Sequence, residues 1–254
     1  MESIETTQPR RRVLLTGAAG RIGTAFRLRA GDRYALRLAD RSSAGLDDPG
    51  EHEVLAVDIS DLAACRRACA DVDTVVHLAA DPSPAADFYG SLLDDNIKAT
   101  YNVFQAARDA GCRRVVFASS VHAVWGYPDE VQVHTDMPIR PATMYGVTKC
   151  FGEAIARAFA DAGPLSAICV RIGYFDPRPS DFPLDWRDLS MVVTPRDLTQ
   201  LLVRCIEVPD VSFAIVHGIS DNRFKAYDIT TARELLGYAP QDDAFALFEP
   251  ATPA

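Results

Sequence analysis

The sequence predicts an α/β protein with one doubly wound parallel sheet, and three observations lead to this fold class. Short apolar runs rich in Val, Ile and Leu alternate with amphipathic stretches of helical length, which is typical of βαβ units. A glycine-rich turn directly follows the first apolar run. The chain has 254 residues, a length at which an α/β fold commonly forms a single unit.

The predicted strands and helices alternate along most of the chain. The predicted strands are Val13–Thr16, Tyr34–Ala39, Glu53–Val57, Thr74–Leu78, Arg114–Ala118, Ser166–Arg171 and Phe213–His217. The predicted helices are Arg21–Ala30, Asp61–Ala70, a bent helix Ala85–Ala110, Met144–Ala162, a helix that Thr194 caps and that ends at Glu207, and Thr230–Leu236. The long stretches from Ser120 to Thr143 and from Gly173 to Val193 are predicted to be irregular loops that carry function.

Composition excludes several classes of partner. Lys and Arg number 26 and Asp and Glu number 35, so the net charge is −9 at pH 7. An acidic chain is a poor general binder of nucleic acid or of an anionic membrane. No apolar run approaches the roughly 18 residues of a membrane span, and the N-terminus lacks the apolar stretch of a signal peptide. We therefore expect a cytoplasmic protein with neither partner.

Cysteine usage indicates free thiols rather than a disulfide framework or a metal site. Six cysteines are scattered through predicted helices and strands of a chain too large to need disulfides. Cys65 and Cys69 stand one helical turn apart, but no His and no third Cys lies near them in the sequence. We therefore predict no metal site.

The glycine-rich turn predicts a dinucleotide site. Residues 16–23 form a T-G-x-x-G-x-x-G pattern between a strand and a helix. Gly17 allows the tight turn, Gly20 lets the backbone approach a pyrophosphate, and Gly23 lets the helix pack against the strand. Residues 13–172 are thus predicted to form a Rossmann-type NAD-binding domain. Residues 1–12 are expected to be a flexible tail, and residues 173–254 a small substrate-binding segment integrated with the same domain.

An acidic residue after the second strand selects the cofactor. Asp40 is placed to accept hydrogen bonds from both ribose hydroxyls of the adenosine half, and its charge repels a 2′-phosphate, which favours NAD over NADP. Asp58 is predicted either to meet the adenine edge or to cap a helix. The full predicted cofactor-binding set is Gly17, Gly20, Arg21, Ile22, Gly23, Asp40, Asp58, Ile59, Leu78, Ala79, Ala80, Asn96, Tyr145 and Lys149.

A tyrosine and a lysine at helical spacing predict alcohol oxidation. Tyr145 and Lys149 are four residues apart, so they share one face of a helix. A phenol is a poor base at neutral pH, and a nearby ammonium together with a positive nicotinamide ring would favour the phenolate. One of the two hydroxyls at the end of the fifth strand, that of Ser119 or that of Ser120, is predicted to face the substrate oxygen, and the other to point elsewhere. Asn96 is predicted either to hold a water or a backbone group near Lys149, or to cap a helix.

These motifs resemble those of a known family. Phe117–Ser120, Tyr145–Glu153 and Val170–Gly173 are most similar to uronate dehydrogenases, and Asp81–Pro84 and Leu236–Asp242 to archaeal NAD-dependent glucose-6-phosphate dehydrogenases. The chain from Val13 to about Asp243 thus resembles the extended branch of the short-chain dehydrogenase/reductase superfamily, also called NAD-dependent epimerase/dehydratase-like proteins. Both relatives oxidise the anomeric hydroxyl of a pyranose. The resemblance therefore implies an NAD-dependent sugar 1-dehydrogenase with Ser120, Tyr145 and Lys149 as catalytic residues.

Departures from the relatives widen the range of substrates. Val121 stands where these relatives have an asparagine, and Tyr174 where they have a small serine. Arg178 and Arg187 lie in the loop that carries the substrate arginine of the uronate enzymes, at a different spacing. The predicted substrate-binding residues are Ser83, His122, Tyr174 and Arg178. The substrate is accordingly left open among free aldoses, uronates and sugar phosphates.

Three alternatives remain open beside this hypothesis. The first is a nucleotide-sugar epimerase or reductase that retains NAD, although the chain after Lys149 is short for a bulky nucleotide sugar. The second is a dehydrogenase of a non-sugar secondary alcohol. The third is a non-catalytic NAD-sensing or scaffold protein, since a fold alone does not imply activity. The resemblance also implies a homodimer through the helices Ala85–Ala110 and Met144–Ala162.

Overall fold

Seven parallel strands form a single sheet in the part of the chain that the structure describes. The computed structural model describes residues 10–46, 49–175 and 184–248. The strands are β1 (Arg12–Thr16), β2 (Ala35–Asp40), β3 (Glu53–Ala56), β4 (Thr74–His77), β5 (Arg114–Ser120), β6 (Ser166–Ile172) and β7 (Phe213–Gly218). Their order across the sheet is β3-β2-β1-β4-β5-β6-β7. The predicted Rossmann-type sheet is confirmed, and the predicted strand ends differ from the observed ones by one or two residues.

Helices cover both faces of the sheet and bury it between two apolar cores. They are α1 (Arg21–Ala30), α2 (Leu62–Cys69), a π-helical segment Phe88–Lys98 that continues as α3 (Ala99–Asp109), α4 (Met144–Ala162), α5 (Trp186–Met191), α6 (Pro195–Glu207), α7 (Thr230–Leu236) and α8 (Ala244–Leu247). Phe26 of α1 and Leu201 of α6 belong to one core, and Phe104 of α3 and Phe159 of α4 to the other. Apolar residues on both faces explain why the strands read as continuous apolar runs.

The predicted flexible tail through residue 12 is wrong at its last two residues. Strand β1 begins at Arg12, and the carbonyl oxygen of Arg11 accepts a hydrogen bond from the Ala35 main-chain nitrogen at 3.0 Å. The Arg11 guanidinium donates to the carbonyl oxygen of Ile206 at 2.8 Å, which ties the entry of the chain to the end of α6. Residues 1–9 lie outside the described part of the chain.

The predicted helix Ala85–Ala110 starts later than expected and is divided in two. Asp87 Oδ1 accepts from the Gly90 main-chain nitrogen at 2.6 Å, so Asp87 is the cap and the helix begins at Phe88. Its first part has π-helical bonds, such as that from the Leu92 nitrogen to the carbonyl oxygen of Asp87. Such wide turns are rare and often lie at functional sites. Regular α-helix begins only at Ala99.

The two long loops contain short helical pieces that the sequence analysis missed. A 3₁₀ turn at Val121–Ala123 follows β5, and α5 lies within the segment predicted to be irregular from Gly173 to Val193. Asp185 and Asp188 form a capping box at the start of α5, a recognisable pattern in the sequence. The helix has only six residues, too few for its apolar periodicity to be visible.

Candidate active site

A cleft of about 770 Å³ lies at the carboxyl ends of the strands. Thr16, Asp40, Leu78, Ser120 and Ile172 line it, each at or next to the end of a different strand. The neighbouring strands β1 and β4 are where the winding of the sheet reverses, and open α/β sheets bind ligands at such a point.

Most of the predicted site residues line this cleft. Those that do are Gly17, Gly20, Arg21, Ile22, Gly23, Asp40, Asp58, Ile59, Leu78, Ala79, Ala80, Ser120, His122, Tyr145, Lys149 and Tyr174. They come from strand ends that are far apart in the sequence, so the fold brings the predicted cofactor and catalytic residues together.

The glycine turn forms a cradle that a side chain would fill. Gly17 has φ +71°, and a Cβ there would lie 2.8 Å from the Ala79 main-chain nitrogen. A Cβ on Gly23 would lie 2.3 Å from the carbonyl oxygen of Gly17. The turn therefore requires glycine at both positions, and it leads straight into α1. A backbone cradle at a helix N-terminus fits the pyrophosphate of a dinucleotide.

Asp40 is held in place at the end of β2. Its carboxylate accepts hydrogen bonds from the main-chain nitrogens of Ala19, at 3.0 Å, and of Arg41, at 2.8 Å. The Arg41 guanidinium donates to Asp95 Oδ2 at 2.9 Å, and both residues also line the cleft. The acidic group is thus fixed to the glycine turn, where it fits the adenosine ribose of NAD.

Asp58 faces the cleft and is not the helix cap. Asp58 Oδ1 accepts from the Ser60 main-chain nitrogen at 2.9 Å, and hydrogen bonds from Ser60 lower the pKa of Asp58. The cap of α2 is Asp61, whose Oδ1 accepts from the Ala63 main-chain nitrogen at 2.8 Å. The predicted alternative in which Asp58 caps a helix is therefore wrong.

Ser120, Tyr145 and Lys149 meet at the floor of the cleft. The Ser120 side chain lies beside the Tyr145 phenol, near enough to lower its pKa. Lys149 Nζ donates to the carbonyl oxygen of Ala118 at 2.9 Å and lies 5.5 Å from the centre of the Tyr145 ring. All three residues are buried. Strand β5 supplies the serine and α4 supplies the other two, as the Y-x-x-x-K spacing indicates.

Burial sets the pKa values of the tyrosine and the lysine. Burial raises the pKa of Tyr145 above its ordinary value, and the interaction with Ser120 only partly offsets this rise. Burial also lowers the pKa of Lys149 to about 8. The expected lowering of the phenol pKa is therefore absent in the protein alone. A positive charge brought by the cofactor would have to supply it.

Ser119 points away from the cleft into a buried ion pair. Ser119 Oγ donates to Glu153 Oε1 at 2.6 Å, and Arg171 binds the same carboxylate through two hydrogen bonds of 2.8 and 2.9 Å. Glu153 lies one turn after Lys149 on α4, and Arg171 lies on β6. Arg171 thus forms a buried ion pair with Glu153. It fastens the catalytic helix to the sheet.

His122 packs against two aromatic rings beside the catalytic tyrosine. Its ring stacks on Trp125 with centroids 4.7 Å apart and meets Tyr145 edge to face at 5.4 Å. Burial lowers the pKa of His122, so its imidazole is neutral at pH 7. His122 Nδ1 is buried without a hydrogen-bond partner in the described structure. A neutral imidazole can bind a substrate hydroxyl through a ring nitrogen that faces the cleft.

Two of the predicted site residues that the structure describes do not line the cleft. Ser83 is exposed, and its Oγ accepts from the Ala85 main-chain nitrogen at 3.3 Å. Asn96 is buried, where its amide bonds both main-chain groups of Asp81 and the Thr148 hydroxyl. Of the roles considered for Asn96, holding a backbone is thus the observed one. Arg178 lies outside the described residues.

Other cleft residues were missed by the sequence analysis. They include Pro82, Pro84, Trp125, Phe175, Asp188 and Met191. Trp125 and Asp188 lie in the two long loops predicted to carry function, but nothing in their local sequence shows which side chains turn inward. Arg187, considered as a substrate ligand, instead forms a 2.7 Å ion pair with Asp129.

Several His and Cys side chains outside the cleft are packed into the core of the described structure. His77 is a buried core residue whose Nδ1 lies 2.8 Å from Thr16 Oγ1. Within the described ranges, no three His, Cys, Asp or Glu side chains are grouped so as to hold a metal ion. The described helices include none that is long and apolar enough to cross a membrane. All six cysteines are buried and free.

Comparison with known proteins assigns the family. The model of the NAD dependent epimerase/dehydratase family matches residues 13–175, which span the glycine turn, Ser120, Tyr145 and Lys149. The protein belongs to this family. The cofactor of the NAD-dependent epimerase/dehydratase family is NAD, and the glycine cradle and Asp40 of this chain fit it.

Similar members of the family cover nearly the whole chain. The protein is 40% identical to the NAD-dependent glucose-6-phosphate dehydrogenase of Haloferax volcanii, across 91% of this chain and 94% of the relative. It is 35% identical to the uronate dehydrogenase of Pseudomonas putida, across 94% and 87%. A crystal structure of a uronate dehydrogenase variant from Agrobacterium tumefaciens complexed with NAD has a TM-score of 0.85 and 35% identity, covering 93% of this chain and 87% of that one.

Proposed function

We propose that this protein is an NAD-dependent sugar 1-dehydrogenase. It oxidises the C1 hydroxyl of a small sugar, namely a free aldose, a uronate or a sugar phosphate, to a lactone. The observation that carries this proposal is that Ser120, Tyr145 and Lys149 line one cleft together with the glycine turn and Asp40, with Lys149 Nζ 5.5 Å from the centre of the Tyr145 ring. Relatives that span nearly the whole chain are named as sugar dehydrogenases.

The three catalytic residues have different tasks in this reaction. Tyr145 accepts the proton of the C1 hydroxyl as general base, and Ser120 donates a hydrogen bond that orients the same oxygen. Lys149 holds the nicotinamide ribose and adds positive charge near the phenol. Bound NAD supplies the acceptor for the hydride that leaves C1. One proton and one hydride thus leave the sugar, and a carbonyl bond forms at C1.

The remaining predicted residues bind the two molecules. For the cofactor, the glycine turn holds the pyrophosphate and Asp40 holds the adenosine ribose. At the other end, His122 and Tyr174 contact sugar hydroxyls. Ser83 and Arg178 remain predictions for the substrate, since Ser83 lies outside the cleft in this structure and Arg178 outside the described residues.

The test is NADH formation by the purified protein with a panel of free aldoses, uronates and sugar phosphates, and several secondary alcohols. NADH with one class of sugar supports the proposal and identifies the class. NADH with the secondary alcohols alone would favour the non-sugar alternative. A nicotinamide absorbance that survives dialysis, without net NADH formation, would favour an epimerase that retains NAD. Silence across the panel without retained cofactor would contradict all three enzyme hypotheses and favour an NAD-sensing protein.

We further propose a cytoplasmic homodimer, joined through the segment Phe88–Asp109 and α4. Exposed apolar side chains lie on both, namely Tyr89, Leu93 and Tyr101 on the first and Met144 and Val147 on the second. Apolar side chains grouped on a surface commonly mark an interface. Six buried free thiols suit a reducing compartment. Sedimentation at micromolar concentration tests the assembly, and a monomer there would contradict it.

A further inference from the structure

We infer that Trp125 is a positioning residue that holds the His122 imidazole at the substrate end of the cleft, with Arg187 and Asp129 holding Trp125 in turn. The inference rests on the proposed function, in which His122 contacts a sugar hydroxyl. It assigns Arg187 to the support of an aromatic wall, rather than to direct contact with an anionic substrate group.

The His122 ring has contacts in two directions. It lies face to face with the Trp125 ring, with centroids 4.7 Å apart and planes 5° from parallel. It also meets the Tyr145 ring at 76°, with centroids 5.4 Å apart. Two ring contacts at a steep angle to each other limit rotation of the imidazole. They place it beside the group that removes the substrate proton.

No hydrogen bond between described residues holds this ring. The His122 main-chain nitrogen donates to Ser120 Oγ at 3.2 Å, which fixes the backbone but leaves the side chain free to turn. Nδ1 has no partner among the described residues, although it is buried. The orientation of the imidazole therefore depends on packing. An imidazole that bonds a sugar through one ring atom must keep that atom in place, so the packing partner affects binding.

Arg187 and Asp129 fix Trp125 from the outer side of the site. The Arg187 guanidinium carbon lies 4.7 Å from the centre of the indole ring, a cation–π contact. Arg187 Nη1 lies 2.7 Å from Asp129 Oδ1. Arg187 belongs to α5, whereas Asp129 and Trp125 follow β5. The contacts therefore join the two long segments that enclose the substrate end, and they turn the guanidinium onto the indole.

Kinetics of substituted proteins test the role of Trp125. W125A is expected to raise the KM for the oxidised sugar about tenfold or more, with kcat changed less than about threefold, because His122 binds ground state and transition state alike. The KM for NAD should be unchanged. W125F keeps an aromatic face and should restore the sugar KM to within about threefold of wild type. A sugar KM for W125A within about twofold of wild type would overturn the inference.

The chain provides its own control for loss of a tryptophan. Trp186, the second of two tryptophans, is 56% exposed and does not line the cleft. W186A should therefore leave both KM values unchanged. A rise in the sugar KM for W186A equal to that for W125A would show a general loss of structure and would count against positioning by Trp125.

A double-mutant cycle separates action through His122 from direct contact with the sugar. If Trp125 acts by holding His122, W125A should raise the sugar KM less than about twofold once H122Q is present. If W125A raises it by the same factor in both backgrounds, Trp125 acts on the sugar itself, and the inference is wrong.

Proton NMR of the histidine rings tests the stack without any turnover. Ring protons that lie over an indole face are shifted upfield. The His122 signals, identified by their loss in H122Q, should be upfield in wild type and W186A and return toward ordinary positions in W125A. If wild type oxidises no sugar, the proposed function fails, and this shift alone then decides the geometry of the stack. Absence of the shift would overturn the inference whatever the turnover.

Discussion

The two halves of the cleft are built in different ways. The cofactor half comprises Thr16–Gly23, Asp40 and Ala79, and the substrate half comprises His122, Trp125, Tyr174 and Asp188. Residues of the cofactor half lie at or within a few residues of a strand end, so the parallel sheet itself places them. Several residues of the substrate half depend on contacts between segments about 60 residues apart, such as that of Arg187 with Asp129. The cofactor half is therefore placed by strand ends that the sequence predicts, whereas the substrate half depends on contacts between the two long loops.

The largest effect on turnover is expected at Tyr145, where the two halves of the cleft meet. Tyr145→Phe removes the only proposed proton acceptor, so turnover should fall about 10³-fold or more. NAD binding should change less than about threefold, because the phenyl ring still fills the cleft. Initial rates of NADH formation and a fluorescence titration with NAD measure the two quantities.

Tyr89→Phe is the matched control, since Tyr89 is 83% exposed and has no proposed role in catalysis. It should behave as wild type. Turnover of Tyr145→Phe within about tenfold of wild type would contradict the assignment of the base.

The contact between α4 and the sheet supports both halves, so breaking it should reduce stability. Arg171→Met leaves the Glu153 carboxylate buried without its cationic partner, which costs about 3 kcal/mol or more. Urea unfolding measures the change. Arg157→Met is the control, because the 2.7 Å pair of Arg157 with Asp161 is exposed and worth less than about 1 kcal/mol. Equal losses in the two variants would contradict the structural role of the buried pair.

A change in the glycine turn should affect the cofactor half alone. The Cβ of Gly23→Ala would lie 2.3 Å from the Gly17 carbonyl oxygen, so the turn must shift, at a cost of about 1–3 kcal/mol. The Kd for NAD should rise about tenfold or more, as measured by titration. Gly163→Ala adds a methyl group with no atom within 4 Å and should leave the Kd unchanged. Normal NAD affinity in Gly23→Ala would show that the turn is not the pyrophosphate cradle.

Acid should destabilise both halves through buried histidines. Burial lowers the pKa of His77, under the cofactor half, to about 3 and that of His217, beside Tyr227, to about 4. Both stay neutral when folded but bind protons below pH about 6.5 when unfolded. The contribution of the two histidines to the free energy of unfolding is therefore fully present above pH about 6.5. Below that pH it falls by up to about 1.4 kcal/mol per pH unit for each histidine.

Urea midpoints between pH 7.5 and 5 measure this slope. His134 is exposed, so His134→Gln should keep the slope of wild type, whereas His217→Gln should reduce it. A flat pH profile in wild type would contradict the assignment of neutral buried histidines.

The smallest effect concerns the choice between NAD and NADP. Asp40→Ala removes the charge that repels a 2′-phosphate and leaves Arg41 nearby. The preference for NAD over NADP, as a ratio of kcat/KM, should fall about tenfold. Asp161→Ala, on the exposed end of α4, serves as control. An unchanged preference in Asp40→Ala would place cofactor selection elsewhere.

The sequence predicted the cofactor half well because its signals are local. The strand before the glycine turn, the helix after it and the acid at Asp40 all lie within 30 residues, and each has one structural meaning. Tyr145 and Lys149 were predictable for the same reason, since helical spacing alone places both on one face.

The substrate half could be predicted only as loops. The α5 helix was missed because six residues show no periodicity. The position of Trp125 depends on its contact with Arg187, a residue of a distant segment. No pattern of neighbouring residues encodes such contacts, whereas the capping box at Asp185 could have revealed where α5 begins.

The most direct test of the proposed function follows the hydrogen on C1. The purified protein is given NAD and its best sugar substrate with deuterium at C1, and NADH is analysed by mass spectrometry. We expect deuterium to appear in NADH and the other product to be a lactone. Recovery of NADH without deuterium, or of sugar product that keeps its C1 deuterium, would contradict it.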